Sequence, residues 1–284
     1  MIGLTPPNAE RDYEARYYMR HVVPIYFHLR KGSDERQLVH TAFAFSVAGR
    51  WILMTAGHCI TEVEQARAAG YELVRCKILD ALGVNAKHLE PVPFDYDAAS
   101  PMSICHDEAW DYGVMFPSDN TCMLLGANGV TAFDEQWWIG EPDDVDAYYL
   151  CGAPAEITTA SAGGVKLGAA IARVAPLTKR PDGFCETNAP MFYGELLDNL
   201  LSSLRGMSGG PILSFKDKCD DGTARYWLHA MQVSQIRGSK YISGIRMAPL
   251  GDFMRKVAEG NQRDPAADLP TPDNPAELAS EEKA

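Results

Sequence analysis

The chain has 284 residues, 46% of them hydrophobic, with 24 glycines, 18 prolines and a formal net charge of −12. Such a composition belongs to a folded, turn-rich globular chain and excludes one that is disordered throughout. The acidic balance lacks the basic stripe that holds nucleic acid, and no run of 18 apolar residues offers a membrane span, so neither partner is expected.

The first twenty residues form a polar N-terminal extension carrying Arg11, Arg16 and Arg20, without the apolar stretch of a secretory leader. Residues 21–28 (HVVPIYFH) and 39–47 (VHTAFAFSV) read as strands on either side of a Lys31-Gly32-Ser33-Asp34 turn, and 51–55 (WILMT) as a third. A short helix is expected over 62–69, capped by Thr61 and stopped by Gly70. Further strands are expected at 71–79, 111–116, 147–151, 169–174, 211–215, 225–234 and 241–247. Strands at this spacing, without regular helices between them, favour an antiparallel all-β architecture over a βαβ sheet. Residues 250–258 (LGDFMRKVA) place Leu250, Phe253, Met254 and Val257 on one face of a C-terminal helix. The segment 261–284 has six acids against two bases and is rich in Pro and Ala, the composition of a disordered tail. One folded domain is therefore expected over 21–260.

Seven cysteines, at 59, 76, 105, 122, 151, 185 and 219, are odd in number and show no C-x-x-C spacing. They read as reduced thiols of a cytoplasmic protein and not as a disulfide framework or a zinc site. His58–Cys59 and His106 beside Cys105 are poor chelators, because neighbours along a strand point to opposite faces.

Three segments carry chemistry. TAGHC (55–59) ends an apolar strand on a histidine next to two small residues. EAWDYGVMF (108–116) opens a hydrophobic strand with Asp111. GMSGGP (206–211) surrounds Ser208 with glycines, which let backbone N–H groups converge on a developing oxyanion. Alone, each has a bland explanation: a structural histidine, a strand-capping acid, a glycine-rich turn. Together they stand in the order His, Asp, Ser, separated by 53 and 97 residues.

In these three segments, and in HTAFAF, YYLCGAP and SGIRMAPLGDFMRKV, the sequence resembles the chymotrypsin/trypsin-like serine peptidases, particularly bacterial members, over roughly residues 22–256. The resemblance implies two packed six-stranded antiparallel β-barrels with a C-terminal helix and a cleft between the barrels. It also implies a serine endopeptidase acting on protein or peptide substrates: Ser208 as nucleophile, His58 as general base, Asp111 as its orienting carboxylate, and the Gly206 and Ser208 N–H groups as oxyanion hole. No metal or organic cofactor is required. Ser202, six residues before the nucleophile, falls at the base of the specificity pocket, Gly244 on its wall and Arg205 at its rim, while Val233, Ser234 and Gln235 form the edge that pairs with substrate. An uncharged pocket base implies apolar side chains at P1, the residue before the scissile bond, although Glu195 and Asp198 lie close enough in sequence to supply a carboxylate.

Two departures from the digestive enzymes stand out. Met207 occupies the place of the aspartate that receives a newly cut N-terminus, and no cysteine in 39–47 faces Cys59. Both suit an enzyme active without zymogen cleavage, restrained by narrow specificity or by a regulatory protein partner. Two other functions remain open. One is a catalytically silent, protease-like binding or scaffolding module. The other is an α/β-hydrolase, since 206–210 also fits G-x-S-x-G; that fold needs Asp and then His after the serine, and His229 is the only histidine downstream.

Overall fold

Short apolar runs broken by glycine, proline and charge become strands in the computed structural model, which describes residues 16–80, 82, 91–106, 110–161, 164–198 and 203–258. The first half contains β1 (Ile25–Lys31), β2 (Asp34–His40), β3 (Phe43–Val47), β4 (Arg50–Thr55), helix α1 (Gly57–Ala68), β5 (Glu72–Ile78), β6 (Val92–Pro93), β7 (Met102–His106), β8 (Trp110–Met115) and helix α2 (Asp119–Ala127). After a 3-10 turn at Glu135–Trp137 come β9 (Ala147–Gly152), β10 (Thr159–Ser161), β11 (Gly164–Lys166), β12 (Ala170–Pro176), β13 (Met191–Leu196), β14 (Pro211–Lys216), β15 (Arg225–Gln235), β16 (Tyr241–Arg246) and helix α3 (Met247–Ala258). No helix among the described residues is long and apolar enough to cross a membrane.

The second half is a closed antiparallel barrel in the order β12-β13-β16-β15-β14-β9. Leu150, Val174, Phe192, Met207, Ile212 and Ile242 fill one buried cluster there. The mostly β architecture and the C-terminal helix match the expected fold class, with one correction. The first half is not a closed six-stranded barrel among the described residues but two four-stranded sheets, β2-β1-β5-β6 and β3-β4-β8-β7. Two causes are visible. The 39–47 run, read from sequence as one strand, breaks at Thr41–Ala42, whose backbone leaves the ladder for other partners: the Thr41 N–H donates to Gly206 O and Ala42 O accepts from the Val23 N–H. In addition, Pro91 and Pro93 confine β6 to two residues and remove ladder donors, so its sheet ends there.

The two sheets still share a core. Ile25, Phe27 and Leu29 of one meet Leu53 and Met115 of the other, together with Ile60 and Val63 of α1. A third cluster runs across both halves, joining Phe43, Phe45 and Val114 to Leu213, Leu228, Met231 and Ile245. The end of the N-terminal extension is docked on it. Met19 is buried, and His21 stacks on Phe133 and hydrogen-bonds Tyr226 and the Thr131 carbonyl across the junction. Residues 1–15 and the expected tail at 261–284 lie outside the described residues.

Candidate active site

Helix α1 begins at Gly57, five residues earlier than its sequence predicts, which places His58 in its first turn. Ala56 offers no capping side chain. Asp111, arriving on β8, does so instead: its Oδ1 accepts the His58 backbone N–H at 2.7 Å. A carboxylate suits the positive end of a helix and satisfies one of its orphan donors. The other oxygen, Oδ2, lies 2.5 Å from His58 Nδ1. Because a carboxylate only accepts, Nδ1 carries the hydrogen, and in the neutral ring Nε2 keeps its lone pair. Asp111 is largely sheltered at 15% side-chain exposure, whereas His58 is open at 48%.

Burial pulls the His58 imidazole down, but its hydrogen bond to Asp111 and the neighbouring Cys59 outweigh this and raise its pKa to about 10. Cys59 is 2% exposed. Burial pushes its thiol up, yet the His40 and His58 imidazoles on either side bring it down to about 6. Its Sγ also reaches the Ser208 carbonyl at 3.8 Å. Replacing Cys59 with alanine removes one of the groups that favour imidazolium at His58. The His58 pKa should fall by about one unit, the lower range for losing an opposite charge nearby. Imidazole titration by NMR checks this, and an unchanged midpoint would contradict it.

Ser208 sits on the turn before β14, which two glycines make possible. Gly206 has φ +87° and Gly209 φ +85°. A Cβ on Gly206 would come within 2.8 Å of Ala153 O and Ala155 N, and one on Gly209 would overlap Thr55 Oγ1 and the Thr41 carbonyl. The carbonyls of this turn are all directed away: Arg205 O accepts from Ala155 N, Gly206 O from Thr41 N and Met207 O from Gly210 N. Because a trans peptide sets N–H opposite C=O, the Gly206 and Ser208 N–H groups face the other way. Among the described residues neither is given to a backbone acceptor. Met207 is fully buried in the barrel core.

A cavity of about 800 Å³ is lined by His58, Asp111 and Ser208 together with Val233, Ser234 and Gln235. A second, of about 610 Å³, also borders His58 and Ser208 and takes in Arg205, Gly206, His40 and Cys59. Arg205 thus borders this second cavity and not the first. Gly244 faces the barrel interior, against Met231 O and Ile212, while its neighbour Ser243 lines the larger cavity, as strand alternation requires. Ser202 lies outside the described residues. Neither Glu195 nor Asp198 lines the larger cavity, and Asp198 Oδ2 accepts from the Arg173 N–H. Sequence reasoning missed Phe184, Met191 and Tyr193, which supply the apolar wall. No motif marks them, although Met191 and Tyr193 alternate on β13 as one face of a strand must.

No family model matches the chain. Nor does any curated protein. Among solved structures it is similar to an inactivated protease paralogue from the scabies mite, at 13% identity and a TM-score of 0.48, over 85% of this chain and 95% of that one. A serine endoprotease from Yersinia pestis gives 11% identity and a TM-score of 0.47, over 91% of this chain and 69% of that one. The inactive form of Rv3671c from M. tuberculosis gives 16% identity and a TM-score of 0.43, over 92% and 97%.

Proposed function

We propose that this chain is a serine endopeptidase, with Ser208 as nucleophile, His58 as general base and Asp111 as the carboxylate that orients it. The observation that supports this is the conjunction around Ser208, which with His58 borders both cavities, of the bidentate Asp111–His58 pair and of the Gly206 and Ser208 N–H groups, neither of them given to a backbone acceptor among the described residues. Ser208 Oγ attacks the scissile carbonyl as His58 Nε2 takes its proton, and the oxyanion is held by the Gly206 and Ser208 N–H groups. His58 returns the proton to the leaving amine, and water then hydrolyses the acyl-serine by the same steps. Asp111 keeps the productive tautomer and favours the imidazolium. A substrate strand pairs with Val233–Gln235, where β15 runs past the end of β14 and leaves one side open. Nothing in this sequence of steps needs a metal. A reducing, cytoplasmic setting suits the buried thiols Cys59, Cys76 and Cys151.

Apart from His58 and Asp111, the described residues lining the larger cavity are uncharged, and Phe184, Met191, Tyr193 and Val233 are apolar or aromatic. The P1 side chain is accordingly uncharged and apolar. Burying such a side chain is worth ~1.5–3 kcal/mol, or roughly 10- to 100-fold in kcat/KM over an equally sized charged residue. Profiling with a peptide library checks this, and dominance of P1 Arg or Lys would defeat it. The test of the function itself is labelling by a fluorophosphonate, with the modified residue located by mass spectrometry. Attachment at Ser208 is expected. Failure of the intact protein to label would favour the silent binding module.

A further inference from the structure

Thr41 occupies the break between β2 and β3 and is fully buried. Its hydroxyl oxygen accepts from the Ala153 N–H at 2.9 Å and lies 2.5 Å from the Gly206 carbonyl. An N–H cannot accept and a carbonyl cannot donate, so the hydroxyl hydrogen points to Gly206 O without ambiguity. The Thr41 N–H donates to the same oxygen at 3.2 Å, and Thr55 Oγ1 donates to the Thr41 carbonyl at 2.7 Å. One residue of the first half therefore grips, by two hydrogen bonds, a carbonyl in the turn that carries Ser208 in the second half.

The grip matters because Gly206 cannot hold its own conformation. Glycine rotates through both signs of φ at little cost, so the plane of the 206–207 peptide is fixed by what its two ends bind: the Met207 N–H donates to Leu204 O within the turn, and the Gly206 carbonyl is held by Thr41. If that plane rotates, the N–H groups on either side of it, those of Gly206 and Ser208, no longer converge. Resting on the proposed peptidase function, we propose that Thr41 is a positioning residue for the oxyanion hole, with its hydroxyl holding the Gly206–Met207 peptide in the productive orientation. Its side chain lines neither of the cavities that Ser208 borders and touches no substrate. It acts through Gly206.

Thr41→Val keeps the shape and removes the hydroxyl, whereas Thr41→Ser keeps the hydroxyl and removes a methyl group. Steady-state kinetics on a peptide amide substrate, with the folded fraction of each variant set by thermal unfolding, separate the possibilities. Thr41→Val is expected to lower kcat by about 10- to 100-fold with KM within about twofold, as for displacement of a transition-state donor. Affinity for a peptide aldehyde, whose adduct places an oxyanion in the hole, should fall by the same factor as kcat/KM. Thr41→Ser should recover most of both. A folded Thr41→Val protein with unchanged kcat, or one in which KM alone rises, overturns the proposal while leaving the peptidase function standing. So does failure of Thr41→Ser to restore kcat. Absence of turnover by the unaltered chain overturns both.

Discussion

Ser208→Ala is expected to lower kcat by about 10⁶-fold, the scale on which removal of a serine nucleophile disables triad hydrolysis. Ser208 is partly exposed on the turn, and the hydrogen bonds described for that turn run between main-chain atoms and the side chains of Thr41, Cys59 and Ser203, without its Oγ. The variant should therefore fold and melt like the parent. Its residual activity should exceed the uncatalysed rate by about 10³- to 10⁴-fold, because the oxyanion donors and the binding cleft remain. Burst kinetics on an ester substrate, alongside steady-state rates on an amide, check both halves of this expectation. Loss of only a few-fold in kcat would remove Ser208 from the nucleophile's place.

Asp111→Asn should lower kcat by about 10⁴-fold with little change in KM. An amide NH₂ facing His58 Nδ1 donates where the carboxylate accepts, which drives the imidazole hydrogen to Nε2 and removes the lone pair that must receive the serine proton. The pH profile adds a signed readout. With Asp111 present the His58 pKa is raised, so the neutral, base-competent ring accumulates only as pH climbs through that value, and activity should rise towards alkaline pH. Without the carboxylate the pKa falls, and the residual activity should reach its plateau at lower pH. A profile unmoved by the substitution would mean that another group limits the reaction. The amide oxygen still faces the His58 backbone N–H and can accept it, so the helix cap is kept and the variant should unfold close to the parent.

The parts of the site that could be read from sequence are those encoded locally. GMSGGP announces itself because glycine is needed at positive φ on the spot, TAGHC because an apolar strand ends on a histidine beside two small residues, and the C-terminal helix because Leu250, Phe253 and Met254 repeat at helical spacing. What stayed hidden is held in place from afar. Helix α1 starts early because its cap is a carboxylate 53 residues away, and the 39–47 run breaks because Thr41 is drawn to a carbonyl 165 residues away. Helix α2 differs: Ser118 caps it by accepting the Thr121 N–H, a local signal that sequence reasoning passed over. The apolar wall from Phe184 to Tyr193 had no signal, since it is assembled by the packing of a loop and of a strand, β13, whose acid and glycine disguise it.

The openness of the first half bears on self-association. A closed barrel has no strand edges, but two separate sheets expose several, and an unpaired edge is a template on which another copy can add a strand. Here each outer strand is guarded differently. On β2 the exposed Asp34, Glu35 and Arg36 set charge along the edge. Pro93 on β6 withholds an N–H from any incoming chain. Strand β7 runs beneath α1, tied to it through Ser103 Oγ, which bonds Gly57 O and Thr61 Oγ1. The fourth edge, β3, is occupied by the chain's own segments through the Val22–Phe43 and Phe45–Phe133 bridges. Leaving the sheets unclosed frees Thr41 to reach the second half, and these four guards keep the resulting edges from seeding fibrils.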